Sequence, residues 1–118
     1  MIVDAGLNHI ADQMSAKIQA VMSHMAIGTG TAAAVSGDTT LGTEVYRKAL
    51  TSKTRTGNKV SYVASFGANE GSGNITELGL LNAPSNGDML SRIVFSAKNK
   101  GVNDTLEFTV EHTYQRAV

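Results

Sequence analysis

The sequence predicts a mainly β protein, a single antiparallel β-sandwich or barrel-like domain preceded by one N-terminal amphipathic helix. Short segments rich in β-branched and aromatic residues recur at close spacing, separated by turns of glycine and asparagine. A helical period is confined to the start of the chain, and without long helices between the strands a parallel α/β sheet is excluded. The 118 residues suit one core, because dividing them would leave each half too little to bury. The expectation is therefore one domain over 1–118, with the helix over about 4–22 and the β-rich part over about 24–116.

The helix rests on Leu7, Ile10, Ala11, Met14, Ile18 and Val21, whose spacings of three and four place them on one face. Asn8, Asp12, Ser15 and Gln19 take the opposite face, and Asp4 is placed to cap the first turn. Met25-Ala26-Ile27 then reads as a short strand leading into a long loop of small residues, 28–40. The segment 44–54 carries a strand signal without clean alternation. Thr56-Gly57-Asn58 is a hairpin turn into a strongly alternating strand that shares Val60, Tyr62, Ala64 and Phe66 on one face.

After a glycine- and asparagine-rich loop, 67–74, the run 75–81 reads as a strand, and Pro84 and Ser85-Asn86-Gly87 mark the next turn. Ile93-Val94-Phe95 are consecutive within 89–96, as in a strand covered on both faces, and Lys98-Asn99-Lys100-Gly101 reads as a polar turn. The last strand alternates most cleanly, with Leu106, Phe108, Val110, His112 and Tyr114 on one side and Glu107, Thr109, Glu111 and Thr113 on the other.

Charge sets limits on function. The 10 basic and 10 acidic residues balance, so no overall field steers the chain to nucleic acid or an anionic membrane. Lys48, Lys53, Arg55 and Lys59 read as the solvated side of strands. Only 17% of residues are charged, below the roughly 25% of an average domain, which favours burial of surface against neighbouring copies or a partner. The absence of cysteine removes disulfides, thiolate metal sites and thiol nucleophiles. The apolar-rich stretch 2–27 is interrupted by Asp4, Asp12, Lys17, His9 and His24, so it reads as neither a signal peptide nor a membrane span.

No set of residues reads as a catalytic, cofactor or metal centre. Gly28-Thr29-Gly30-Thr31-Ala32-Ala33 matches the dinucleotide fingerprint in letters, but that motif needs a helix opening at the loop, and 35–40 is a poor helix. His9, His24 and His112 are scattered, with no pair at metal-ligand spacing. His112 falls in an apolar stripe, as a satisfied core or interface histidine would. Glu70 and Glu77 flank a loop, and Glu107 and Glu111 share a polar strand face; such pairs do acid–base work only where burial separates their pKa values. The reading is non-enzymatic. The helix either covers its own sheet or packs on a neighbouring subunit through Leu7, Ile10, Met14 and Ile18, with Met14, Met22 and Met25 suited to an adaptable contact.

Several segments carry a resemblance. Ala26-Ile27-Gly28-Thr29-Gly30-Thr31 followed by Asp38-Thr39-Thr40-Leu41-Gly42-Thr43-Glu44 resembles a pattern in small virion structural proteins of tailed bacteriophages. Phe66-Gly67-Ala68-Asn69-Glu70, Ile75-Thr76-Glu77-Leu78-Gly79-Leu80-Leu81-Asn82, Met89-Leu90-Ser91-Arg92 and the run 99–106 agree, and Asp4-Ala5-Gly6-Leu7-Asn8 does so more loosely. The resemblance implies a virion component assembled in the host cytoplasm, with other phage structural proteins as partners. A capsid decoration or cement protein on the major capsid protein, acting as a homo-oligomer, fits the short chain best, and many weak contacts repeated over a lattice sum to high avidity. A tail, baseplate or tail-fibre attachment component is the alternative.

Overall fold

The computed structural model describes residues 1–15 and 19–116. Its elements run α1 (Asp4–Met14), β1 (His24–Gly28), β2 (Glu44–Ala49), β3 (Ser52–Thr56), β4 (Lys59–Phe66), β5 (Gly73–Leu81), β6 (Met89–Lys100) and β7 (Leu106–Thr113). The strands form two antiparallel sheets, ordered β2-β1-β5-β6 and β3-β4-β7, which pack as a sandwich and do not close into a barrel. Mainly β with one N-terminal helix is thus the observed class.

The alternation read from the sequence builds the space between the sheets. Tyr62, Ala64 and Phe66 of β4 and Val110 of β7 meet Met25, Ile27, Leu78 and Leu80 of the four-stranded sheet. Phe66 has no exposed surface and packs edge-on against Tyr46 and Phe108, each with ring centres 6.3 Å away. The far face of the four-stranded sheet is covered too. Val3, Ala26, Leu41, Leu81 and Met89 form a second, smaller apolar cluster there, under the start of α1 and the 29–43 loop. Burial on both faces explains why β5 reads as a nearly unbroken apolar run.

Four expectations need correction. The helix ends at Met14 rather than near 22: Ser15 returns its hydroxyl to the Asp12 carbonyl, Gln13 bonds both the N–H and the carbonyl of Gln19, and 19–22 are not helical, while 16–18 lie outside the described residues. Val3, not Asp4, is the N-cap residue; the Asp4 N–H donates to Ser36 O, and its carboxylate sits in the first turn. In β6, an edge strand, it is Met89–Arg92 that is buried, because residues 1–3 pair along 90–92 and α1 packs there, while Ile93, Val94 and Phe95 lie beyond that cover and are half-buried. The expected turn at 98–101 instead belongs largely to β6, which continues to a buried Lys100; the turn follows it, where the Gly101 N–H donates to Asp104.

The ambiguous 44–54 segment has a physical explanation. It is two strands in different sheets, and the chain crosses between them at Leu50 and Thr51, whose N–H groups donate to Ser23 O and Val63 O respectively. A single alternation cannot survive that crossing. The hairpin between β3 and β4 is as expected, with Gly57 at φ +60°.

α1 approaches β6 through Gly6 and His9, its buried residues, and a Cβ at Gly6 would fall on the Leu90 carbonyl. Gly6→Ala is therefore expected to push the helix off β6 and lower stability by about 1–3 kcal/mol despite the better helix propensity of alanine. Urea unfolding measures it; a gain in stability would show that the helix is not seated this closely.

Candidate functional site

Four of the segments singled out in the sequence, 26–31, 38–44, 75–82 and 89–92, meet in one place. Glu77 lies mid-strand in β5, on the face turned toward the 29–43 loop, and has no exposed surface. Its Oε2 accepts the N–H groups of Gly30 (2.7 Å) and Thr43 (2.8 Å), and its Oε1 accepts that of Gly42 (2.8 Å). Arg92, across the ladder on β6 and also buried, donates Nε to Oε1 at 3.0 Å. The guanidinium continues outward, with Nη1 to Asp38 Oδ2 at 3.0 Å and Nη2 to Ala32 O at 2.9 Å. Thr76 adds a bond to Gly30 O.

Electrostatics follow from this geometry. Burial pushes the Glu77 carboxyl up, but the N–H groups of Thr43, Gly42 and Gly30 together with Arg92 outweigh it and hold the group below the ordinary glutamate range. The Val35 N–H, opposed by partial burial and helped by Arg92, likewise lowers Asp38. The glycines of the motif are close-approach residues: a Cβ at Gly28 would meet the Thr43 carbonyl and the Glu77 carboxylate, and one at Gly30 would meet that carboxylate. The letters of a dinucleotide fingerprint thus arise from a loop folded onto a protein carboxylate. That arrangement locks the loop onto the sheet.

A second polar knot lies where β4 and β6 end and β5 begins. Lys48 reaches Glu70 at 2.9 Å and Ser65 O at 2.8 Å, and Glu70 also accepts the Gly67 N–H. The Lys48 ammonium first, then that N–H, lowers the Glu70 carboxyl. The buried Lys100 ammonium donates to Gly67 O and Gly71 O, bringing the 67–71 and 99–101 segments together.

Glu70, Glu77 and His112 therefore have separate partners. His112 pairs with the buried Ser91 hydroxyl at 2.9 Å. Glu107 and Glu111 are exposed on the outer face of β7, where Glu111 pairs with Lys59 at 3.3 Å. His24 bonds Ser23, and His9 faces Asp88 at 3.5 Å. Among the described residues no group of three or more histidine, cysteine or acidic side chains is placed to hold a metal ion, and no helix is long and apolar enough to cross a membrane. The basic residues are engaged locally as well, Lys53 with Met22 O and Arg55 with Gly57 O.

The helical stripe divides. Ile10 is half-buried against the inter-sheet core, whereas Leu7 is 55% and Met14 83% exposed; Ile18 lies outside the described residues. With the exposed Ala11, Leu7 and Met14 form an i, i+4, i+7 apolar line on the outward side of α1. Asp38 and Arg92 were not singled out as interacting residues from the sequence. The available signal was that Glu77 and Arg92 each interrupt an otherwise apolar strand, as paired buried charges do. No protein-family model matches the chain, and no curated protein matches it.

Proposed function

We propose that this chain is a non-enzymatic structural module of a tailed-phage particle, and that it decorates the head by binding the major capsid protein. The observation that supports this reading is the convergence on Glu77: four of the segments resembling phage virion proteins, 26–31, 38–44, 75–82 and 89–92, lock the 29–43 loop onto the sandwich, with their charged groups directed at one another and at backbone. Such a site supplies a rigid mount. A surface low in charge, with Leu7 and Met14 exposed on α1, suits contact with further copies.

The experiment is to separate purified particles into heads and tails and quantify this chain against the major capsid protein by mass spectrometry. Many copies on heads are expected. A few copies on tails would replace decoration with a tail or baseplate role, and absence from both would overturn the virion reading.

Oligomerisation is tested separately with Met14→Asp and Leu7→Asp. Both side chains are exposed, so folding is expected to survive, while a carboxylate in an apolar contact weakens association by about tenfold or more per site. Sedimentation over a concentration series measures this. An unchanged oligomer would move the interface away from α1.

A further inference from the structure

The two long sides of the sandwich are joined differently. Along β2 and β3 the chain itself passes from one sheet to the other at Leu50 and Thr51. Along β6 and β7, each the last strand of its sheet, the chain crosses at one end, through 101–105, and away from that end the link is made by side chains: Phe95 against Phe108, with ring centres 5.6 Å apart, and the bond between Ser91 Oγ and His112 Nε2. We infer that this side is a proton-sensitive latch, in which neutral His112 holds β7 to β6 and protonation loosens it.

The surroundings of His112 carry the argument. Its ring meets Tyr62 edge-on at 6.0 Å, and its bonding partner Ser91 has no exposed surface. Strand register places Val60 opposite His112 and Arg55 opposite Val60, and it places Lys53 opposite Tyr62; the charged groups on this face of the three-stranded sheet are therefore cations. The Met1 amino nitrogen, bonded to Arg92 O, adds a further positive charge one residue from Ser91. Glu107 and Glu111 lie opposite Ser65 and Ser61 on the outer face, and His9 from α1 is turned to Asp88. The phenols stay neutral, since burial, with each ring beside the other, pushes Tyr62 up to about 12, and burial also raises Tyr114. An imidazolium would keep a bond to Ser91 Oγ but would bring a charge into a half-buried face of cations and phenols.

Burial first, and the amino terminus second, hold His112 below the ordinary histidine value of 6.5. The native state then binds fewer protons than the opened one. The latch is fully closed above pH 6.5 and weakens as pH falls toward the folded-state value, with opening rising by up to about tenfold per pH unit in that window.

The test is amide exchange of β6 and β7, corrected for intrinsic rates, in wild-type protein and His112→Gln between pH 7.5 and 5. Protection along β7 is expected to fall steeply with acid in the wild type and to stay flat in H112Q, whose amide keeps a bond to Ser91 without charging. An equal fall in both, or none in the wild type, overturns the latch. If H112Q fails to fold, titration of the His112 ring protons in the wild type decides: a midpoint below 6.5 supports the latch, and one at or above it overturns it.

Discussion

Glu77→Ala is expected to lower stability by about 3–5 kcal/mol, the cost of breaking a buried ion pair from one side. The substitution leaves the Arg92 guanidinium buried with one carboxylate instead of two, and it strips the acceptor from the N–H groups of Gly30, Gly42 and Thr43. It is also expected to release the 29–43 loop, uncovering Leu41 and the small cluster around Ala26 and Met89. Glu77→Gln keeps an acceptor but points an amide at donors, so a smaller loss is expected. In the double variant with Arg92→Ala, the losses should sum to less than the two singles, because the second removal discards a charge already orphaned. Urea unfolding of the set measures these terms. The same group gives an acid dependence: with its carboxyl held below 4.5, its contribution is full above that pH and is lost as pH falls through the folded-state value.

Phe66→Ala is expected to cost a similar amount, about 3–5 kcal/mol, for a different reason. The ring is enclosed between the sheets and touches aromatic partners from both, Tyr46 from β2 and Phe108 from β7. Truncation leaves a void that neither sheet can close without changing the spacing along its length. Phe95→Ala, in a half-buried position on the edge strand β6, is expected to cost less than half as much. Equal losses at the two positions would mean that the core does not lie between the sheets as described. Against a typical total of about 5–15 kcal/mol, either the Glu77 or the Phe66 change would bring the domain close to unfolding.

What the sequence made legible follows from where one physical rule acts alone. In β4 and β7 one face is buried and the other solvated, so the period of two is visible in Val60-to-Phe66 and Leu106-to-His112, and the pattern identifies both strands. The rule fails where a segment has two environments. Between 44 and 54 the chain changes sheets, and in β6 the first residues are buried whereas the middle ones lie on an open edge. The helix shows a related limit: its apolar period does not say which partner it meets, and the close contact with β6 runs through Gly6 and His9, with Leu7 and Met14 exposed, because only a glycine lets the backbone approach the Leu90 carbonyl.

The candidate site was half legible. Its segments stood out as glycine- and threonine-rich motifs, and Glu77 was noticed as a carboxylate beside a loop. Its partners were not, because Asp38 and Arg92 are 54 positions apart and no local spacing links them. The small residues of the loop offer few anchors of their own; its anchors come from β5 and β6.

The claim on which the account rests is that this loop is locked by a buried carboxylate, and hydrogen exchange at three amides tests it most directly. Gly30, Gly42 and Thr43 lie outside the strands, yet they are expected to exchange as slowly as the interior of β5 and to lose that protection together in Glu77→Ala. Exchange at the rate of an exposed loop in the wild-type protein would contradict it.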